Sequence, residues 1–428
     1  MPKKFQAIKG VRDILPPETS LWTWVEEQVR RVFEAYNFRE IRLPIFEETE
    51  LFARSIGAET DVVSKEMYSF EDRDGKSLTL RPEATASVVR AYIEHQLYLQ
   101  PGLTRLYYIG PMFRRERPQK GRFRQFYQIG AEVLGSSDHP VIDAEVCEML
   151  VVLLERVRIK EWTLLLNSIG CGECRPKFLA ALGKAVQPVK AKMCGDCQHR
   201  AETNPLRIFD CKVPADQPTI EKLPTALGSL CEGCAEHFAR VKRELGERKI
   251  PFTIAPRLVR GLDYYMRTAF EITSPALGAQ NSILGGGRYD GLSELLGGPA
   301  AKGTGFAIGE DRFVAVVQAA GVDVAQPPDV YIAWMGEDVF RKAAFVARML
   351  RERGIGVEFL AEGMKLKKSI SLADKLHARY TLIIGEDELA AQKCTLRRMS
   401  DGEQKHLSES ELIAYLKSER GSDSTTSE

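Results

Sequence analysis

At 428 residues the chain is too long for one hydrophobic core, and two or three domains are expected. A hydrophobic share of 44% is ordinary for a globular protein, while a net charge of +1 excludes a general affinity for polyanions, so any nucleic-acid contact has to come from local basic patches. No apolar run approaches the roughly 18 residues that a membrane helix needs, and the start, MPKKFQAIKG, carries no apolar signal core, so a cytoplasmic protein with no membrane partner is expected.

The first signal is a helix. Pro16-Pro17-Glu18-Thr19 opens a run from about Leu21 to Tyr36 in which Trp22, Val25, Val29, Val32 and Phe33 recur on one face. EIRLPIFEE then reads as a strand, and because Pro44 cannot donate to a ladder, it belongs at an edge or an interface. SLTLRPEATASVVRAYI reads as a strand turning into a helix.

LTRLYYIGPMFRRERPQKGRFRQFYQIGAEVLG is the most informative stretch. Two strand-like runs flank the loop RERPQKG, where Pro118 and Gly121 break the pattern. Strand periodicity puts Arg124, Phe126, Gln128, Gly130, Glu132 and Leu134 on one face. Gln128 and Glu132 then point the same way with open space over Gly130, a pocket floor suited to a cationic amine or an imidazole. The alternative is a solvated face, common in antiparallel sheets, and periodicity alone favours it. The loop carries Arg114, Arg115, Glu116, Arg117, Lys120 and Arg122. Guanidinium groups so clustered suit phosphates, which arginine grips bidentately; the alternative is a merely soluble loop.

From about Cys171 to Pro251 the composition changes to cysteines, charges and short helical patterns, and strand-like sequence resumes at Phe252, which marks an inserted domain over 171–251. Seven of the nine cysteines fall here: three C-x-x-C pairs, Cys171/Cys174, Cys194/Cys197 and Cys231/Cys234, with Cys211 between the last two. Two such pairs can enclose a tetrahedral zinc, but the spacing does not say which four bind, and the alternative is a small domain of reduced, partly buried thiols.

PRLVRGLDYYMRTAFEI, residues 256 to 272, would suit a strand, yet Arg260 and Asp263 sit in its middle. A buried charge costs several kcal/mol unless it has a partner, so Arg260 faces either another side chain or a ligand. GGGRYDG lacks the G-x-G-x-x-G spacing of a dinucleotide loop, and no GK[ST] follows. Its glycines let a strand pass close beneath bound substrate, with Arg288 and Tyr289 as structural residues.

A boundary falls at Gln326-Pro327-Pro328. Beyond it DVYIAWM, a helix over Glu337 to Arg353, GVEFL, a helix near Ser369 to Arg379 and YTLIIGE alternate, as in a small α/β domain with a parallel sheet over 327–420. Residues 421–428, GSDSTTSE, read as a disordered tail. Lys365, Lys367 and Lys368 form a local patch able to meet RNA phosphates, although a lysine run is usually just a solvated surface.

Several of these segments resemble one family. Gly110 to Arg114, the loop after it and Phe126 to Glu132 are similar to motif 2 of class II aminoacyl-tRNA synthetases, the segment around Pro44 to motif 1 at their dimer interface, and GTGFAIGEDRF to motif 3 with Arg312 as its arginine. LRPEATAS, LVRGLDYY and GGGRYDGL resemble the histidyl branch. The resemblance implies an α+β fold: an antiparallel-sheet catalytic core over 1–326 holding the small insertion, followed by a C-terminal α/β anticodon-binding domain. It implies ATP-dependent activation of L-histidine and its transfer to tRNA(His), with MgATP as substrate complex, by a homodimer. Arg260 and Arg114 would be catalytic, their fixed charge stabilising the charge that develops on the α-phosphate. Histidine would be held by Glu83, Thr85, Gln128, Glu132, Arg260, Tyr264 and Tyr265, with Asp263 orienting the neighbouring strand. ATP would meet Arg114, Glu116, Arg122 and Arg312, and the tRNA acceptor end would meet Arg117 and Gln119.

The chain departs from the family pattern at Ala84, where glycine is usual and an extra methyl could shift the backbone, and at Glu310-Asp311, where a carboxylate near Arg312 could weaken its hold on phosphate. A rival reading is the synthetase-like, non-catalytic regulatory subunit of ATP phosphoribosyltransferase; that relative typically lacks the C-terminal domain and the RGLDYY segment.

Overall fold

The computed structural model describes residues 4–57, 60–118, 121–278, 281–324 and 327–424. The chain divides into two compact units, Met1–Val324 and Ala325–Glu428. No helix among the described residues is long and apolar enough to cross a membrane.

In the first unit the opening helix runs Glu18–Ala35 and buries Leu21, Trp22, Val25, Val29, Val32 and Phe33, the face its periodicity marks. Each such side chain contributes about 1.5–3 kcal/mol by leaving water. EIRLPIFEE does not form one strand. It breaks at Pro44 into β1 (Arg39–Glu40) and β2 (Phe46–Glu48), which join different sheets. The physical reason lies in Arg81, a buried side chain whose Nη1 donates to the carbonyls of Leu43 (2.9 Å) and Pro44 (3.1 Å) and whose Nε donates to that of Pro111 (2.9 Å). Carbonyls held by a guanidinium are lost to a ladder. β2 pairs with β4 (Ser77–Leu80), and β4 with β3 (Tyr68–Glu71), in a small antiparallel sheet.

The large sheet continues with β5 (Thr104–Phe113), β6 (Gln125–Gly135), β7 (Thr163–Ser168), β8 (Thr253–Ile254), β9 (Met266–Thr273), β10 (Ser282–Arg288) and β11 (Lys302–Gly309). Its order is β1-β5-β6-β11-β10-β9-β7-β8. The six central strands are all antiparallel, and only the edge strands β1 and β8 pair in parallel. Ile129, Ala131 and Val133 of β6 enter the main core with Phe270, Phe306 and the helices Glu18–Ala35, Pro140–Arg156 and Glu232–Glu247. The other face is buried too, by a second cluster that includes Ala84, Tyr108, Met112, Leu134, Tyr264, Tyr265 and Tyr289. A solvated face is thereby ruled out for β6: Gln128 is 9% exposed and Glu132 1%.

The 256–272 run is a strand only from Met266; the residues before it form a loop. Asn167 on β7 holds that loop away from the sheet, its Nδ2 donating to the carbonyls of Pro256 (3.2 Å) and Leu258 (2.8 Å). Within 171–251 a separate small core gathers Phe178, Leu182, Met193, Leu206, Ile220 and Leu223. The helix Glu232–Glu247, inside the expected insertion, packs instead on Pro140–Arg156 through Phe238, Val241 and Leu245.

The second unit holds β12 (Val330–Trp334), β13 (Val357–Glu358), β14 (Tyr380–Ile384), β15 (Cys394–Arg398) and β16 (Gln404–Leu407), in the order β13-β12-β14-β15-β16. Its sheet is parallel only in part: β13, β12 and β14 are parallel, whereas β15 and β16 form an antiparallel hairpin. The turn of that hairpin contains Asp401-Gly402, with Gly402 at φ +78°, the left-handed conformation hairpin turns use. The helices over Val339–Arg351 and Leu366–Lys375 lie close to where the sequence places them. The last helix, Glu409–Ser424, extends past 420, so the first residues of the expected tail are helical. Residues 425–428, and the proposed boundary at Gln326, lie outside the described residues.

Candidate active site

The helix Thr85–Glu94 begins at the sheet, and Glu83, just ahead of it, turns its carboxylate back onto the helix N-terminus. Glu83 accepts the backbone N–H of Thr85 (2.7 Å) and of Ala86 (3.0 Å), satisfying donors that have no partner within the helix. Burial nevertheless raises its pKa. Thr85 donates its hydroxyl to Glu132 Oε1 at 2.7 Å, and Tyr289 donates to Glu132 Oε2 at 2.5 Å. Tyr264 donates to Glu83 Oε2 at 3.4 Å; its ring lies 4.7 Å from that of Tyr265 and 5.7 Å from that of Tyr289. One enclosed cluster therefore brings together Glu83, Thr85, Glu132, Tyr264 and Tyr265, all singled out in the sequence. Gln128 points from the same face of β6, and among the described residues its buried Oε1 has no hydrogen-bond partner. A buried acceptor left open inside a polar site is a place for a ligand donor.

The space over Gly130 is not open. Tyr108 on β5 pairs with Gly130 and fills it: a Cβ at Gly130 would stand 2.3 Å from the Tyr108 ring. The missing side chain thus admits an aromatic ring between Gln128 and Glu132. Tyr108 and Tyr289 were not expected here. Tyr289 lines the site through its bond to Glu132, while Arg288 beside it is structural, with Nε donating to Asp143 (2.9 Å) and Nη1 to Asp290 (3.1 Å).

Burial pushes the Glu132 carboxyl up to about 8, against the lowering effect of its two hydroxyl donors. A carboxyl that titrates there in the folded chain, and in the ordinary range when unfolded, keeps a proton that the unfolded chain releases. Its contribution to stability is complete below the ordinary carboxyl range and is lost as pH rises through about 8. Glu132→Gln has no such group, so its melting temperature relative to the parent should increase between about pH 5 and about pH 8.5. Melting curves that stay parallel across that range would contradict the assignment.

Arg260 sits in the loop ahead of β9. Its Nη1 donates to Glu271 Oε2 at 3.1 Å, its guanidinium lies 5.6 Å over the Tyr265 ring, and among the described residues its buried Nε has no partner. Glu271, on β9, was missed by sequence reasoning; it faces both Arg260 and Arg312. Gly285 is required by Arg260, since a Cβ there would lie 2.2 Å from Nη1. The glycine-rich strand thus passes beneath a guanidinium. Asp263 ties the loop to its surroundings: its N–H donates to the Ile56 carbonyl (3.1 Å), and its Oδ1 accepts from Asn204 Nδ2 (3.1 Å).

Around this cluster stand the other arginines. Arg114 donates Nε to the Pro82 carbonyl (2.9 Å), with its guanidinium 5.5 Å over Phe126. Arg122 is ion-paired with Glu116 at 3.1 Å. Arg312 donates to the carbonyls of Ser282 (2.9 Å) and Gly121 (3.4 Å), and burial together with the nearby Arg122 charge lowers its pKa. Like charges held close in a half-buried site favour an anion between them. Arg117 is exposed on the loop, and Gln119, with Lys120, lies outside the described residues.

Neither departure disturbs the site as expected. Ala84 is fully buried at φ −117°, a conformation open to any residue, and its methyl packs in the cluster with Val88. Glu310 does not approach Arg312. It is buried facing Glu26 of the first helix, and burial holds its carboxyl well above the usual range. Asp311 accepts the Tyr127 N–H (3.2 Å) and pairs with Arg12 (3.1 Å). Among the described residues, Glu116 and Glu271 are acids that Arg312 feels.

Comparison with known proteins agrees with this geometry. A family model described as Histidyl-tRNA synthetase matches residues 10–174 and 208–312, and one described as Anticodon binding domain matches 329–419. Histidine--tRNA ligase of Solibacter usitatus is 57% identical over 412 residues, covering 96% of this chain and 98% of that protein. That of Koribacter versatilis is 54% identical over 422 residues, covering 96% of each. The crystal structure of apo S. aureus histidyl-tRNA synthetase superposes with a TM-score of 0.81 at 36% identity, over 97% of this chain and all of that one. With most of the motif residues gathered around one largely antiparallel sheet and these relatives spanning nearly its whole length, the chain belongs to the histidyl-tRNA synthetase family, in the class II fold.

Proposed function

We infer that the chain catalyses the ATP-dependent activation of L-histidine and its transfer to tRNA(His). The observation that carries this is the buried cluster of Glu83, Glu132, Gln128 and three tyrosine rings, with the Gln128 acceptor left open among the described residues, set beside several arginines. The carboxylates and amide suit the α-ammonium and ring nitrogens of histidine, and a bound ammonium would draw the proton off Glu132. The histidine carboxylate attacks the α-phosphorus of MgATP, and pyrophosphate leaves. Arg114 and Arg260 hold the charge that grows on the reacting phosphate, while Arg122 and Arg312 hold the outer phosphates, where Mg²⁺ bridges oxygens as part of the substrate. The terminal ribose hydroxyl of the tRNA then attacks the activated carbonyl and AMP departs. Fixed geometry and fixed charge do most of this chemistry.

Arg117 and Gln119 meet the acceptor end, and exposed Lys365, Lys367 and Lys368 at the start of the helix Leu366–Lys375 meet the anticodon arm. The active species is a cytoplasmic homodimer. Supporting this, the small sheet next to Pro44 presents Phe46 (53% exposed) and Phe70 (47%), with ring centroids 6.4 Å apart, beside exposed Ile45. The regulatory reading is disfavoured by the intact RGLDYY loop and by the anticodon-binding domain.

ATP–pyrophosphate exchange, run with each of the twenty amino acids separately, tests the activity and its specificity. Exchange with histidine alone is expected. Exchange with another amino acid would overturn the specificity, and none at all from a folded, histidine-binding protein would overturn the chemistry.

A further inference from the structure

The seven cysteines of the inserted region sort into two groups. Cys171, Cys174, Cys231 and Cys234 place four sulfurs within 4.8 Å of one another. Cys171 Sγ stands 3.7 Å from Cys174 Sγ and 3.7 Å from Cys231 Sγ, and Cys174 Sγ stands 3.8 Å from Cys234 Sγ. Four thiolates each about 2.3 Å from a central zinc stand about 3.8 Å apart at the corners of a tetrahedron. A disulfide would need sulfurs about 2.05 Å apart, and all nine cysteines are free. The Cys171 N–H also donates to Cys174 Sγ at 3.1 Å.

The second group is Cys194, Cys197, Cys211 and Asp216, whose ligand atoms likewise fall within 4.8 Å of one another. Cys194 and Cys211 sulfurs are 3.9 Å apart, and Asp216 Oδ2 is 3.4 Å from Cys211 Sγ. Asp216 is buried, and among the described residues its carboxylate meets the backbone N–H of Cys194 and the thiols but no ion-paired lysine or arginine. A packed cluster of neutral thiols has no use for a buried carboxylate, whereas a cation among them compensates its charge.

We propose that the inserted region binds two zinc ions in separate centres, one of four thiolates at its base and one of three thiolates and a carboxylate inside it. Thiolate-rich tetrahedral sets select zinc or iron–sulfur clusters, and a carboxylate ligand favours zinc. The base centre joins the place where the chain enters the insertion to the place where it leaves. Both centres head helices that reach the loop carrying Arg260. After Cys174, Arg175 donates Nη1 to the carbonyls of Asp263 (3.3 Å) and Tyr265 (3.0 Å). After the helix Gly195–Thr203, whose N-cap is Cys194, Asn204 donates to Asp263. Arg175 and Asn204 are therefore positioning residues for the pocket, and the ions fix the helices that bear them.

The test is elemental analysis of the full-length chain, purified without chelator from zinc-supplemented cells, which requires no assay of activity and so fails or succeeds apart from the functional reading. Two zinc per chain are expected, falling to one in Cys231→Ser and to one in Cys211→Ser, with two retained in Cys147→Ser. Cobalt titration of the metal-stripped parent covers the case in which a serine variant does not fold. Tetrahedral cobalt absorption should saturate at two equivalents, with sulfur charge-transfer intensity from seven thiolates. Saturation at one equivalent, no zinc with nine titratable thiols, or a brown iron–sulfur chromophore would each overturn the proposal.

Discussion

Replacing Arg260 by glutamine is expected to lower the rate of histidyl-adenylate formation by about 10²–10³-fold, the loss typical of removing one group aimed at developing charge. The side chain keeps some reach but loses its charge. The ion pair with Glu271 and the contact with Tyr265 disappear together, so Glu271 is left without that cation beside Arg312. Affinity for tRNA should hardly change, because Arg260 lies among the pocket residues and not on the exposed loop that carries Arg117. Single-turnover adenylation and tRNA filter binding, measured on the same preparation, separate the two. Equal losses in both would show that Arg260 supports the fold of the loop and does not act on the reacting phosphate.

Deleting residues 327–428 is expected to leave histidine-dependent pyrophosphate exchange near the parent rate while weakening tRNA charging by about 10²–10⁴-fold. That range is what two linked binding modules lose when one is removed. The two units have separate cores: Val330, Ile332, Leu382, Leu396 and Leu412 in the second belong to a cluster of their own. Charging at limiting tRNA is the discriminating assay. A truncated chain that charges tRNA(His) with unchanged KM would remove the second unit from tRNA recognition.

Local periodicity told which side chains share a face, and not that the face is buried. The two-residue repeat of β6 places Gln128 and Glu132 on one face, and the structure buries both. What it could not give is what stands over Gly130, since that is set by the register of β5 against β6 and puts Tyr108 there. Glu271 was hidden for a related reason: its partner Arg260 lies in a loop whose path is fixed by Asn167, on a strand nearly a hundred residues earlier. The proline in EIRLPIFEE announced an interruption, but only the distant Arg81 decides that the chain changes sheets there. Asp401-Gly402 was a readable hairpin signal inside a domain whose alternating pattern suggested a parallel sheet throughout. The cysteine pairs were plain to see, while their division into two sets depends on where the chain returns.

Arg81 has a mechanical meaning beyond its bonds. The carbonyls it holds belong to residues 43 and 44, at the exposed apolar edge, and to residue 111, on the strand that leads into Arg114. A guanidinium is planar and stiff, so the three acceptors keep fixed distances from one another. A push on one segment is transmitted to the other without slack, as through a strut. Whatever steadies the apolar edge therefore steadies the strand that leads into Arg114, and whatever pries that edge loose disturbs the place of that side chain.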